Sequence, residues 1–264
     1  MISFSHALKS VEEEHALLVE DSWRQGRGVF GGLIAGAFVR CFEERLRTSN
    51  EDDEQPTLTS LRLQLREPLP EGAVPLECTV ARTGKYVTYL DGTMGEGGEL
   101  AVATGVAVRP TKSRLSFEDV EPPTVPHKED VEPWPQLEFM PSFTKHFEYR
   151  SCIGQFPYSS ARHDVEIGGW VRFRDDETLD LAHIAALGDA WPLSIMVAAS
   201  KPSPAASVEI GYHFWDTPDP DERWVLACNR SIVSRSGYGD QETRVWGTDG
   251  RLLMTARQLS VLLG

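Results

Sequence analysis

Apolar and polar positions along the chain sort into two similar series. In the first, the glycine-rich stretch Gly26-Arg-Gly-Val-Phe-Gly-Gly leads into residues 33–47. There Ile34, Phe38, Cys41, Phe42 and Leu46 recur at the spacing of one buried helical face. Alternating, strand-like runs follow at 58–65, 74–81, 86–94 and 100–108. In the second series, 143–149 and 170–173 read as strands. A helix is predicted to begin near Asp180, whose carboxylate suits an N-cap, with Leu181, Ile184 and Leu187 behind it. Strands at 208–215, 224–233, 242–246 and 252–262 complete the series.

Seven of the 17 prolines lie between Pro110 and Pro141, interleaved with acids from Glu118 to Glu132. Proline removes backbone donors and carboxylates resist burial, so this stretch is neither a central strand nor a long helix. The expected organisation is an N-terminal module over 1–109, a connector over 110–141 and a C-terminal module over 142–264. The modules match in kind: each runs from an alternating strand through a Pro/acid turn and a second strand to a basic, glycine-containing turn. Each also closes with an acid–glycine turn before its last strand, Gly97-Gly98-Glu99-Leu100 in one and Thr248-Asp249-Gly250-Arg251-Leu252 in the other. Two copies of one supersecondary unit, each burying a helix against a curved antiparallel sheet, predict an α+β fold.

The chain has 264 residues, with Lys+Arg 26 against Asp+Glu 40 and a net charge of −14, which excludes a phosphate-tracking nucleic-acid binder. No apolar run approaches the ~18–20 residues of a membrane span, and the first residues lack the apolar core of a signal peptide. A cytoplasmic protein is therefore expected. Cys41, Cys78, Cys152 and Cys228 form no CxxC pair and no Cys–His cluster, so they read as four separate thiols. His183 and His213 have no metal-ligand spacing either, and neither a metal nor a cofactor is expected.

Three polar residues stand out. Asp189 is the only charged side chain between Ile184 and Ala199. A carboxylate in such a run must be paired, hydrogen-bonded or shifted in pKa, which suits a general base; the alternative is an Asp that caps a local turn before Pro192. Ser207 opens an alternating strand in which Val208, Ile210, Tyr212 and Phe214 form one face, and Ser207, Glu209, Gly211 and His213 the other. It lies outside any G-x-S-x-G elbow, so it reads as a water-holding hydroxyl or an ordinary surface serine, not an acyl-serine. Gln258 shares a face with Met254, Ala256 and Leu262, and its amide can both donate and accept. The first module offers Leu58 opposite Ser207, about Val106 opposite Gln258, and no acid in 33–39. Gly31 and Gly32 leave free N–H groups at a helix start, suited to an oxyanion or to close packing. Trp191 reads as core or pocket wall.

Phe30-Gly31-Gly32 before an apolar helix, Leu187-Gly188-Asp189 ending another, and the last strand with Arg257-Gln258 together resemble the double-hotdog acyl-CoA thioesterases of the thioesterase II type. The resemblance spans about residues 20–262. It implies a double hotdog: two antiparallel sheets, each wrapped round a central helix, fused in one chain so that their strands form one continuous sheet. It also implies hydrolysis of fatty acyl-CoA thioesters by a water held between an Asp, a Thr or Ser hydroxyl and a Gln of the second module. Carried over, these fall on Asp189, Ser207 and Gln258, with Gly31, Gly32 and Trp191 against the substrate. The family's hydroxyl residue is Thr; Ser207 keeps the hydroxyl and loses the methyl that stiffens the rotamer. The acyl chain would enter an apolar tunnel between helix and sheet, and the CoA phosphates would meet Arg24, Arg27, Arg172 or Arg174. A non-catalytic acyl-CoA-binding protein and a hotdog enoyl-CoA hydratase or dehydratase using His183 are the alternatives. One fused chain already pairs two hotdog units, so either a monomer or a homo-oligomer fits.

Overall fold

Phe4, Ala7, Leu8 and Val11 fall at i, i+3, i+4 and i+7, and they form the buried face of a first helix, α1 (Phe4–Glu14). The Ser3 hydroxyl caps it by accepting from the His6 amide, and His15 closes it in the left-handed region. The computed structural model describes residues 1–49 and 55–262. After α1 come β1 (Ala16–Val19), the short hairpin β2 (Arg24–Gln25) and β3 (Gly28–Val29), and the long α2 (Gly31–Ser49). Then follow β4 (Thr57–Leu65), β5 (Gly72–Thr83), β6 (Val87–Met94) and β7 (Ala101–Val108). The second series is β8 (Phe147–Gly154), β9 (Glu166–Phe173), α3 (Leu181–Asp189), the single turn α4 (Ile195–Ala198), β10 (Ala205–Phe214), β11 (Val225–Arg235), β12 (Tyr238–Gly247) and β13 (Leu252–Leu262).

The strand expected from residue 143 begins only at Phe147, because Ser142–His146 coils into a 3-10 turn. The Thr144 hydroxyl, donating 2.7 Å to the Pro141 carbonyl, closes that turn locally. Helix α1 and strand β1 were not anticipated by the two-series pattern. Asp180 caps α3 as expected, its side chain accepting from the His183 amide.

The two sheets are continuous, as the resemblance implies. The described residues build one 11-stranded sheet, in the order β1-β5-β6-β7-β4-β10-β13-β12-β11-β9-β8. The halves join where β4 pairs antiparallel with β10, placing Leu63 beside Ile210 and Leu61 beside Tyr212. An unpaired edge at either strand would expose a row of backbone donors and acceptors, and this pairing satisfies both. Helices α2 and α3 cross on the inner face so closely that a Cβ on Gly32 would stand 2.8 Å from the Ala186 Cα. Cys41 on α2 meets Cys78 on β5 in this core, so the thiols are not all separate; burial, together with Cys41, pushes the Cys78 thiol well up.

Residues 110–141 contain one short 3-10 turn, Lys128–Asp130, and a turn closed by the Met140 N–H donating 3.1 Å to the Leu137 carbonyl, and otherwise form neither helix nor strand. They strap the outer face of the second half. There Trp170, Trp224, Leu226, Trp246 and Leu252 form a second apolar cluster, against which Val120 and Val125 pack. The Trp170 indole donates 3.0 Å to the Pro126 carbonyl, so a chain poor in donors still anchors through its acceptors.

The register shows the repeat directly. In β4 against β7 the pairing runs Leu58↔Ala107 then Ser60↔Val106, skipping one residue; in β10 against β13 it runs Ser207↔Ser260 then Glu209↔Leu259, skipping one likewise. The same bulge thus sits at the same place in both modules. Counting from it, the first-module counterpart of Gln258 is Gly105 and not Val106, since Leu61↔Gly105 matches Ile210↔Gln258.

Candidate active site

The bulge decides where Ser207 points. With strict alternation it would share the outward face of Glu209 and exposed His213. Because Val208 is skipped, Ser207 instead falls in phase with Ile210, Tyr212 and Phe214, all buried on the inner face. The face assignment made from simple alternation is corrected accordingly. Across the ladder this face continues through Met254, Ala256, Gln258 and Ser260. The structure therefore brings Ser207 and Gln258 together: the Gln258 side-chain amide donates to the Ser207 hydroxyl oxygen.

Behind this pair lies a polar chain absent from the sequence reading. The Gln241 amide donates 3.1 Å to Gln258 Oε1 and 3.3 Å to the Thr243 hydroxyl, which donates 2.8 Å to Asn229 Oδ1. Gln241 Oε1 accepts from the backbone N–H and the hydroxyl of Ser194, at 2.7 and 2.9 Å. All five residues beyond Ser207 are buried. In the first module the register sets Leu58, Gly105, Leu90, Gly92 and Cys78 in the places of Ser207, Gln258, Gln241, Thr243 and Asn229. Phe38 and Phe42 of α2 fill that space, and a Cβ on Gly92 would lie 2.8 Å from the Phe38 ring. Helix α3 stops at Asp189, and Pro192 sends the chain down so that Ser194 reaches Gln241. The sequence signal was the alternation of Gln241 with Thr243; the expected strand began at 242 and so cut it off.

Asp189 stands at the C-terminal end of α3, against the first turn of α2. A Cβ on Gly31 would lie 2.8 Å from Asp189 Oδ2, so only glycine lets the carboxylate approach α2 this closely. Burial pushes the Asp189 carboxyl up to about 7, and the Gly32 backbone N–H pulls the other way. The residue as a whole is half-buried. No hydrogen bond among the described residues joins it to Ser207 or Gln258. Its neighbours on the sheet side are Tyr149 and Tyr212, both phenols driven upward by burial and by the Asp189 charge. Tyr212 shares the inner face with Ser207 and lies in register with Ala256, next to Gln258 on that face. Tyr212 thus feels the Asp189 charge and shares the face of the Ser207–Gln258 pair. Gly31→Ala is expected to displace the carboxylate and lower turnover about tenfold with little change in Tm, read by steady-state kinetics beside thermal melts.

The remaining candidates separate. Gly32 serves helix–helix packing. Trp191 is buried two residues past Asp189, edge-on to Tyr149 at 5.2 Å and stacked on Trp134 of the connector at 5.7 Å. Arg172 is engaged by Glu148 at 2.7 Å and lies over Trp224, and Arg24 donates to the Leu69 carbonyl at 3.1 Å; Arg27 and Arg174 are exposed. One cleft lies between the turns at 218–222 and 247–251 and another beside α1 and Arg40. Helix α3 packs closely on the sheet near its C-terminal end: a Cβ on Gly188 would stand 2.3 Å from the Met254 methyl.

His183, the residue a hydratase would need, begins the other end of α3, about 9 Å along the axis from Asp189. Its ring is held by Asp180 at 2.7 Å and Glu177 at 3.2 Å. Burial disfavours its charge, but these two carboxylates outweigh that and raise its pKa. Among the described residues no cluster of three His, Cys, Asp or Glu side chains could hold a metal ion, and no helix is long and apolar enough to cross a membrane.

Residues 19–109 match the acyl-CoA thioesterase N-terminal domain and residues 118–262 the acyl-CoA thioesterase C-terminal domain. The chain belongs to the acyl-CoA thioesterase family. Solved structures share the thioesterase fold over most of its length. A protein of unknown function with a hot dog fold from Alicyclobacillus acidocaldarius superimposes with a TM-score of 0.79 at 23% identity, covering 94% of this chain and 92% of that one. Acyl-CoA thioesterase II TesB2 from Mycobacterium marinum gives 0.69 at 17% identity, with 94% and 91% covered. The tesB protein of Mycobacterium avium subs paratuberculosis gives 0.74 at 14%, with 99% and 100% covered. No curated protein matches the chain.

Proposed function

We propose that this thioesterase-family chain hydrolyses acyl-CoA thioesters to free acid and CoA by direct attack of water, with Asp189, Ser207 and Gln258 as the catalytic residues. The observation that carries the reading is Asp189: a desolvated carboxylate at the end of α3 whose pKa is lifted to about 7, beside Tyr212 of the inner face that also holds the Ser207–Gln258 pair. A base is most useful when its pKa lies near the working pH. Asp189 takes a proton from the water as its oxygen bonds to the thioester carbonyl carbon. The tetrahedral intermediate then expels the CoA sulfur, which takes that proton back from Asp189 and leaves as thiol. Ser207 and Gln258 hold the reacting oxygens in place.

Release of free thiol from acyl-CoAs of graded chain length tests this. Since Asp189 must be ionised to accept a proton, kcat/KM should rise about tenfold per pH unit below 7 and level off above it. Saturable binding of every acyl-CoA without thiol release would instead support the non-catalytic alternative. Loss of enoyl-CoA absorbance without thiol release would support a hydratase.

A further inference from the structure

The direction of every hydrogen bond leading to Ser207 is fixed by one group that has no choice. The backbone N–H of Ser194 can only donate, and it donates 2.7 Å to the Gln241 side chain. The atom it meets must therefore be Gln241 Oε1, and the Gln241 NH2 must face the other way, toward Gln258, 3.1 Å off. Gln258 must answer with its oxygen, so its own NH2 faces the Ser207 hydroxyl, whose oxygen accepts. Amide orientations are usually ambiguous; here a backbone donor removes the ambiguity at both glutamines. Thr243 agrees with it, accepting the second Gln241 proton while giving its own to Asn229. Since Ser207 accepts from Gln258, its own proton is left to be given toward the inner face. No other hydrogen bond to this hydroxyl forms among the described residues.

We infer that Gln241 is a positioning residue that fixes the polarity of the Gln258 amide, and thereby sets the Ser207 hydroxyl as a hydrogen-bond donor to an oxygen of the bound thioester or of its tetrahedral intermediate. This rests on the proposed hydrolysis at the same face. Gln241→Glu keeps the size and the acceptor for Ser194 but offers Gln258 only oxygens, so the Gln258 amide turns over and claims the Ser207 proton. Turnover should fall about 10- to 100-fold, with KM changed less than about threefold, as for residues that orient a reacting group. Gln241→Met, which buries no charge, should show a smaller loss of the same kind.

The decisive measurement is a double-mutant cycle with Ser207→Ala. If Gln241 acts through the hydroxyl, Gln241→Glu costs little further once Ser207 is alanine; a purely structural role would cost the same factor in both backgrounds and overturn the inference. Equal turnover of both Gln241 variants and wild type would also overturn it. Full activity in Ser207→Ala would remove Ser207 from the reaction and bring down the site reading as well. Orientation is also readable without turnover. NOEs from the Gln258 side-chain amide protons to the Ser207 Hβ protons should be present in the wild type and lost in Gln241→Glu; their absence from the wild type would overturn the inference on its own.

Discussion

Asp189→Asn is expected to lower turnover of acyl-CoA by about 10²–10⁴-fold while leaving KM nearly unchanged, because it removes a general base and keeps the shape. The same substitution is expected to stabilise the fold at neutral and alkaline pH. The folded-state pKa of Asp189 is raised by burial to about 7 from the ordinary aspartate value of 3.8, so the native state holds its proton where the unfolded chain has lost it. Stability therefore falls as pH rises from about 4 to about 7, and the full penalty is present above that window. Asparagine carries no such penalty. Melts at pH 8 should show Tm roughly 8–16 °C above wild type, with the gap closing toward pH 4. A variant that is inactive and unchanged in stability at both pH values would contradict the desolvated state assigned to this carboxylate. Undiminished turnover would remove Asp189 from the chemistry.

The second large effect is expected in the first module, and in stability alone. Phe42 is buried on α2, in space that the second module gives to a polar chain, and a Cβ on Gly105 would lie 2.8 Å from its ring. Phe42→Ala should cost about 3–5 kcal/mol from lost burial and the cavity left behind. In a chain of this size that is a fall in Tm of roughly 6–15 °C. Turnover per folded molecule well below the melt should stay within about twofold, because no residue of the proposed chemistry touches Phe42. A selective loss of kcat in folded protein would mean that the first module takes part in the reaction.

How much of this was legible beforehand follows from what each feature depends on. The strands and both core helices announced themselves through periodicity, which is local. Asp189 announced itself as a lone charge among apolar residues, again a local contrast. Helix α1 was as regular as the others, with Phe4, Ala7, Leu8 and Val11 on one face, and was overlooked because it lies outside the duplicated pattern. The merging of the sheets through β4 and β10 depends on a pairing of residues almost 150 positions apart, which no window along the chain contains. Gln241 and Ser194 matter only through each other and through Gln258, and as single residues they look like any polar side chain. The contact of Gly188 with Met254 is a matter of side-chain volume across two elements, which no single stretch of letters displays.

The skipped residue in β10 carries a lesson for comparing relatives. Whether a serine at this point of the ladder meets substrate or solvent is a question of parity, settled by one uncounted position and invisible in the letter itself. A cousin with the same letters but no bulge, its Val208 paired regularly in the ladder, would be counted as retaining the hydroxyl while displaying it to water. Conversely, a cousin whose letter seems displaced by one could still be fully equipped.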